Sequence, residues 1–140
     1  VKMSRILGID PGTRRCGVAI TDSAQTMAFP RLALDADDTF IEKLTELIEE
    51  EFVGSIVIGR PISLSGNETQ STEVADQLFE AIKDAFPSFL VVQWDERLTT
   101  LEAQKSLSGA GMKAKNHREH IDSAAAVIML QNYIDALPSA

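Results

Sequence analysis

Three groups of acidic residues stand where a strand or helix pattern changes: Asp10 ends one apolar run, Asp95 and Glu96 follow another, and Asp122 opens a final apolar segment. Only a fold could gather them, because they lie far apart in sequence. In open α/β sheets functional groups collect beyond the strand ends, and carboxylates gathered there repel one another unless cations neutralise them. Mg²⁺ takes carboxylate oxygens together with water and phosphate oxygens, and a pair of such ions about 3.5–4 Å apart assists hydrolysis of a phosphodiester. The chemistry to expect is therefore cleavage of a nucleic-acid backbone. Each acid also has an ordinary explanation. Asp10-Pro11-Gly12-Thr13 makes a good hairpin turn, although Thr13 would set a hydroxyl beside a bound phosphate. Asp122 could complement the positive end of a helix. Strand alternation lets only one of Asp95 and Glu96 face a site, and Glu96 is preferred. His117 and His120, three apart with no cysteine near, do not read as a zinc pair. Trp94 reads as core, and Cys16 as a small buried hydrophobe.

The elements that must position these groups follow from periodicity. Residues 5–10 and 16–22 read as two strands joined at Pro11-Gly12, with a weaker third strand near 28–34 that Pro30 assigns to an edge or a bulge. From Asp37 the apolar positions Phe40, Ile41, Leu44, Leu47 and Ile48 fall on one helical stripe that ends before Gly54. Ser55–Gly59 is a continuous apolar run of the buried parallel-strand kind. A polar turn over 63–71 leads to a second helical stripe, Val74 to Phe86, stopped by Pro87. Phe89–Trp94 is another buried strand. Thr99 and Glu102 fit a capping box for a helix over about 100–107. Residues 109–119 read as a basic loop, and a last helix begins near Asp122. The order implies an α/β fold: an antiparallel hairpin feeding a mixed sheet, with helices on both faces joined by right-handed crossovers.

With 140 residues the chain has room for one domain, taken as 1–140, and not for a two-domain enzyme. Hydrophobic residues at 44% suit a globular core, no apolar run approaches a membrane span, and the single cysteine excludes an internal disulfide. A cytoplasmic location is expected. The net charge of −8 argues against a nucleic-acid partner until its distribution is considered. Residues 35–51 hold eight acids against one lysine and residues 67–89 five against one, so two helical segments exceed the whole deficit. Residues 1–15 and 97–119 each carry a net +3.

Four motifs in this order resemble the YqgF/RuvX family over almost the whole chain: Gly8-Ile9-Asp10-Pro11-Gly12-Thr13 with Gly17-Val18-Ala19; Ile56-Val57-Ile58-Gly59-Arg60-Pro61 with Ser65-Gly66; Asp95-Glu96-Arg97-Leu98-Thr99-Thr100; and Asp122-Ser123-Ala124-Ala125-Ala126-Val127. Those bacterial proteins have a ribonuclease H-like fold and are described as Holliday junction resolvases and as nucleases maturing the pre-16S ribosomal RNA. The resemblance implies that Asp10, Glu96 and Asp122 form a catalytic triad binding Mg²⁺ or Mn²⁺. It sets Thr13, Arg14, Arg97, Thr99, Lys113, Lys115 and Arg118 where a nucleic-acid backbone would be held. It favours precursor ribosomal RNA over four-way DNA, cut by a monomer or a weak homodimer. Many relatives have Leu where Arg60 stands. Two rivals remain at this level. An ATP-binding half-domain shares the Asp-Pro-Gly-Thr turn but needs a second domain to close on ATP, and a non-catalytic nucleic-acid-binding module could share the fold.

Overall fold

The computed structural model describes residues 4–63, 65–96 and 117–138, and within 117–122 the backbone alone. The chain runs β1 (Arg5–Asp10), β2 (Arg15–Thr21), β3 (Ala28–Asp35), α1 (Phe40–Glu51), β4 (Val53–Arg60), α2 (Gln70–Ala85), β5 (Leu90–Asp95) and α3 (His117–Asp135). The strands form one five-stranded sheet in the order β3-β2-β1-β4-β5. Strand β2 runs antiparallel to both its neighbours, β1 and β3, and β1, β4 and β5 run parallel. The expected mixed sheet with an N-terminal hairpin is thus present. The helix expected over 100–107 and most of the basic loop lie outside the described residues.

Alternation along the strands separates two cores. Leu7, Ile9, Val18, Ile20, Ile56 and Ile58 face α1 and α2, where Phe40, Leu44, Ile48 and Ile82 meet them. Ile6, Ala19 and Val57 face α3, which covers them with Ala126, Val127, Met129, Leu130 and Ile134. Gly8 makes that second packing close, since a Cβ there would lie 3.0 Å from the Leu130 Cβ. Cys16 is buried as expected. Trp94 sits edge-on to Tyr133, with ring centroids 5.3 Å apart, on the α3 side. No helix among the described residues is long and apolar enough to cross a membrane.

Pro30 lies on the edge strand, and β3 is bulged just after it, between Arg31 and Leu34: Cys16 pairs with Leu34 but Val18 with Arg31, so β3 spends three residues where β2 spends two. The two largest boundary differences from expectation are at helix starts. Helix α2 starts at Gln70, inside the expected turn, because Thr69 and Thr72 form a reciprocal cap and the Thr72 hydroxyl donates to the Pro61 carbonyl. Helix α3 starts at His117, upstream of Asp122. The intervening residues include no Gly or Pro, and Arg118 and Glu119 tolerate helix well.

Candidate metal centre

The parallel strands β1, β4 and β5 end together, so the residues at their C-terminal ends share one edge of the sheet. Asp10 continues the Ile6-Gly8 face of β1 and Glu96 the Val92-Trp94 face of β5, and both are therefore on the side of α3. Two strand spacings of about 4.8 Å separate β1 from β5, with β4 between them. The side chains nevertheless meet: the Asp10 and Glu96 carboxyls are hydrogen-bonded to one another. What allows this is Gly59, which lies beside Trp94 in the register and one step beyond the Ile9–Ile58 pair. A Cβ on Gly59 would fall 2.5 Å from Glu96 Oε2 and 3.0 Å from its carboxyl carbon. Asp10 has a glycine on its other flank too, since its partner on β2 is Gly17. The two acids share a floor without side chains.

Their electrostatics are unfavourable as they stand. Burial raises the Asp10 carboxyl above its ordinary value, offset in part by the bond from Glu96. Burial first, then the neighbouring Asp10 and Asp95, push Glu96 up to about 8. No cationic side chain among the described residues figures among the influences on either group. Glu96 Oε2 is buried and has no hydrogen-bond partner. A pair of desolvated carboxyls that share a proton, one with an orphaned oxygen over an open floor, suits a hard cation that accepts oxygen ligands. The donor set therefore fits Mg²⁺ or Mn²⁺.

Among the described residues no group of three potential metal ligands forms. The backbone of Asp122 lies in α3, whose covered face spans β3, β2 and β1, while its side chain lies outside the described residues. Its place does bear on the helix-end explanation. Residue 122 is the sixth of the helix, beyond the first turn to which the dipole effect is confined. His117 and His120 stand in that first part of α3 and not in a loop, which corrects the expectation for them.

The other expected contacts divide. Thr13 and Arg14 are exposed on the hairpin turn directly after Asp10, at the rim of the site. Gly12 makes that turn possible, as a Cβ there would collide with the Arg15 carbonyl. Arg97, Thr99, Lys113 and Lys115 lie outside the described residues, as does the side chain of Arg118. Asp95 falls on the opposite face with Gln93, which donates to Asp76 of α2, and so acts on Glu96 only through its charge. Arg60 is also on that far face, bonded through Nε and Nη2 to Asp76 and through Nη2 to Glu68. It leaves the metal centre untouched. The residue that sequence reading missed is Gly59. It stood in a quoted motif, but its role depends on a register across three strands.

The family model for RuvX, described as a Holliday junction resolvase, matches residues 4–136. A "putative pre-16S rRNA nuclease" of Corynebacterium jeikeium (strain K411) is 39% identical over 94% of this chain and 86% of its own. One of Staphylococcus haemolyticus (strain JCSC1435) is 36% identical over 95% of this chain and 96% of its own. Among solved structures, Thermus thermophilus RuvC in complex with a Holliday junction substrate superposes with a TM-score of 0.62 at 11% identity, over 94% of this chain and 95% of that one. The fowlpox virus Holliday junction resolvase superposes with a TM-score of 0.54 at 12% identity, over 95% and 99%. Those two likenesses establish the ribonuclease H-like fold, and the family match and the sequence relatives go further: this chain belongs to the YqgF/RuvX family.

Proposed function

We propose that the chain is a divalent-metal-dependent nuclease that hydrolyses phosphodiester bonds in structured nucleic acid, with precursor 16S ribosomal RNA as its substrate. The observation that carries this reading is the meeting of the Asp10 and Glu96 carboxyls over Gly59 at the C-terminal edge of the parallel strands. Asp10, Glu96 and Asp122 would hold Mg²⁺ or Mn²⁺, and the bound ions would supply a polarised phosphate and a water acidic enough to attack at neutral pH. The chain's own residues do the remainder. Burial of the two carboxyls keeps competing water away and orients their oxygens toward one point. The open glycine floor leaves room for a phosphate. Thr13 and Arg14 on the rim would meet the nucleic-acid backbone, and Arg97, Thr99, Lys113, Lys115 and Arg118 are proposed as further contacts to it. The acidic α1 and the acidic face of α2 lie across the sheet from this surface, so the basic residues act locally despite the net charge of −8. Trimming of one strand needs a single site, so a monomer suffices, and the substrate implies a cytoplasmic location.

Cleavage of labelled precursor ribosomal RNA and of a synthetic four-way DNA junction, in Mg²⁺, Mn²⁺ or EDTA, tests this. Metal-dependent cutting of the RNA that Asp10→Asn abolishes is the expected result. Cutting of the junction alone would transfer the activity to DNA. A folded, metal-binding protein that cuts neither would be a binding module.

A further inference from the structure

The bulge in β3 leaves a gap in the sheet, and a side chain from α3 fills it. At the edge of the bulge, the Val18 N–H donates to Ser123 Oγ at 2.9 Å. The same hydroxyl donates to the Arg31 carbonyl at 2.6 Å. Val18 and Arg31 are cross-strand partners, so the Ser123 hydroxyl stands in the ladder as a replacement rung between β2 and β3. It is fully buried, and it is one of three buried polar residues among those described. A hydroxyl can do this because it donates and accepts at once.

The rung sits at a particular height. Val18 pairs with Ile9, the residue before Asp10, so Ser123 enters the sheet one residue below the metal-site edge, and it is the residue after Asp122. Two turns further along α3, Leu130 rests on Gly8, and then Gln131 bonds the Ala28 N–H and the Thr26 carbonyl. Those lower contacts fix the far end of the helix. At the site end the polar tie to the sheet among the described residues is Ser123.

We propose that Ser123 is a positioning residue for the metal centre: its hydroxyl, built into the β2–β3 ladder, sets the depth and rotation of the α3 backbone at residue 122, the residue read above as the third metal ligand. This rests on the reading of Asp10, Glu96 and Asp122 as metal ligands. It differs from a purely structural role in what it predicts. Loss of the rung should weaken metal binding beyond what an equal loss of stability does, in the range of about 10- to 100-fold seen when the supports of metal ligands are removed.

The test titrates Mn²⁺ into the full chain, following free Mn²⁺ by electron paramagnetic resonance, for wild type, Ser123→Ala, Ser123→Cys and Ile134→Val. Ile134 packs α3 at its other end and serves as the stability control. Ser123→Ala should bind Mn²⁺ at least about tenfold more weakly and lose hydrogen-exchange protection at the Val18 amide, while Ile134→Val melts lower with unchanged affinity. Ser123→Cys keeps a donor and acceptor but lengthens both bonds. It should fold even if the alanine variant does not, and bind Mn²⁺ more weakly than wild type. Wild-type affinity in Ser123→Cys or in folded Ser123→Ala, or an equal loss in Ile134→Val, overturns the proposal. Failure of the wild-type chain to bind Mn²⁺ overturns the metal reading itself and this inference with it.

Discussion

The two faces of the sheet are built from different residues for different ends. Toward α1 and α2 the strands present Leu7, Ile9, Val18, Ile20, Ile56 and Ile58, and the helices answer with Phe40, Leu44, Ile48 and Ile82. Toward α3 the same strands present Gly8, Asp10, Gly17, Ala19, Val57 and Gly59, and a serine hydroxyl penetrates the ladder. The first face removes large aliphatic side chains from water at about 1.5–3 kcal/mol each. The second gives up that burial near the strand ends, and it gathers two carboxyls that repel one another. Stability and function are thus assigned to opposite sides of the same five strands, and substitutions on the two sides should fail in different ways.

The widest difference is expected from Glu96→Gln. If Glu96 holds the metal as proposed, RNA cleavage should fall by about 10³-fold or more, equivalent to about 4 kcal/mol of barrier. The substitution also removes a carboxyl that must take up a proton to be buried beside Asp10 at neutral pH, so the metal-free variant should melt above metal-free wild type there. Differential scanning calorimetry in EDTA checks the second part, and a lower melting temperature for the variant would contradict the repulsion argued here.

Leu7→Ala is the counterpart on the other face. Leu7 is fully buried among the large aliphatics, and truncation should lower stability by about 3 kcal/mol through lost burial and the cavity left behind. Urea unfolding measures this. At urea-free conditions where the variant stays folded, cleavage per folded molecule and Mn²⁺ affinity should match wild type, because Asp10 lies on the opposite side of β1. A metal-affinity loss in Leu7→Ala would mean that the two faces are not separable.

The α1 and α2 face was legible in the sequence because its signal is local. Apolar residues at helical spacing and continuous apolar runs mark the elements, and Pro30 marks the edge strand. Alternation left room for only one of Asp95 and Glu96 on the site's face, and in the structure Gln93 lies against α2 and Glu96 over Gly59. The α3 face was harder, since its meaning depends on register. Nothing in Ala28–Asp35 announces which residue is extra, so the gap that Ser123 fills does not show until β2 and β3 are paired. The start of α3 was set too late because an aspartate before an apolar run imitates a helix start. Gly59 is a plain strand glycine until β1 and β5 are known to flank it.

Gly59→Ala is therefore the finest probe of the division, and the smallest effect expected. The three atoms nearest the added methyl are all of the Glu96 side chain, its Oε2, carboxyl carbon and Cγ. A glutamate side chain can swing aside, so the fold should be retained and the urea midpoint should change little. The carboxyl, however, cannot stay hydrogen-bonded to Asp10 over an occupied floor. Mn²⁺ affinity should drop by about tenfold, the lower end of what misplaced ligand supports cause, and the Mg²⁺ concentration for half-maximal cleavage should rise in step while the rate at saturating Mg²⁺ partly recovers. Two of the glycines on the α3 face can then be told apart. Gly8→Ala presses on Leu130, a packing contact, and should lower stability first, whereas Gly59→Ala presses on Glu96, the proposed ligand, and should lower metal affinity first. Equal stability losses with no change in metal affinity would make Gly59 a packing residue like Gly8, and the site would have to close by another route.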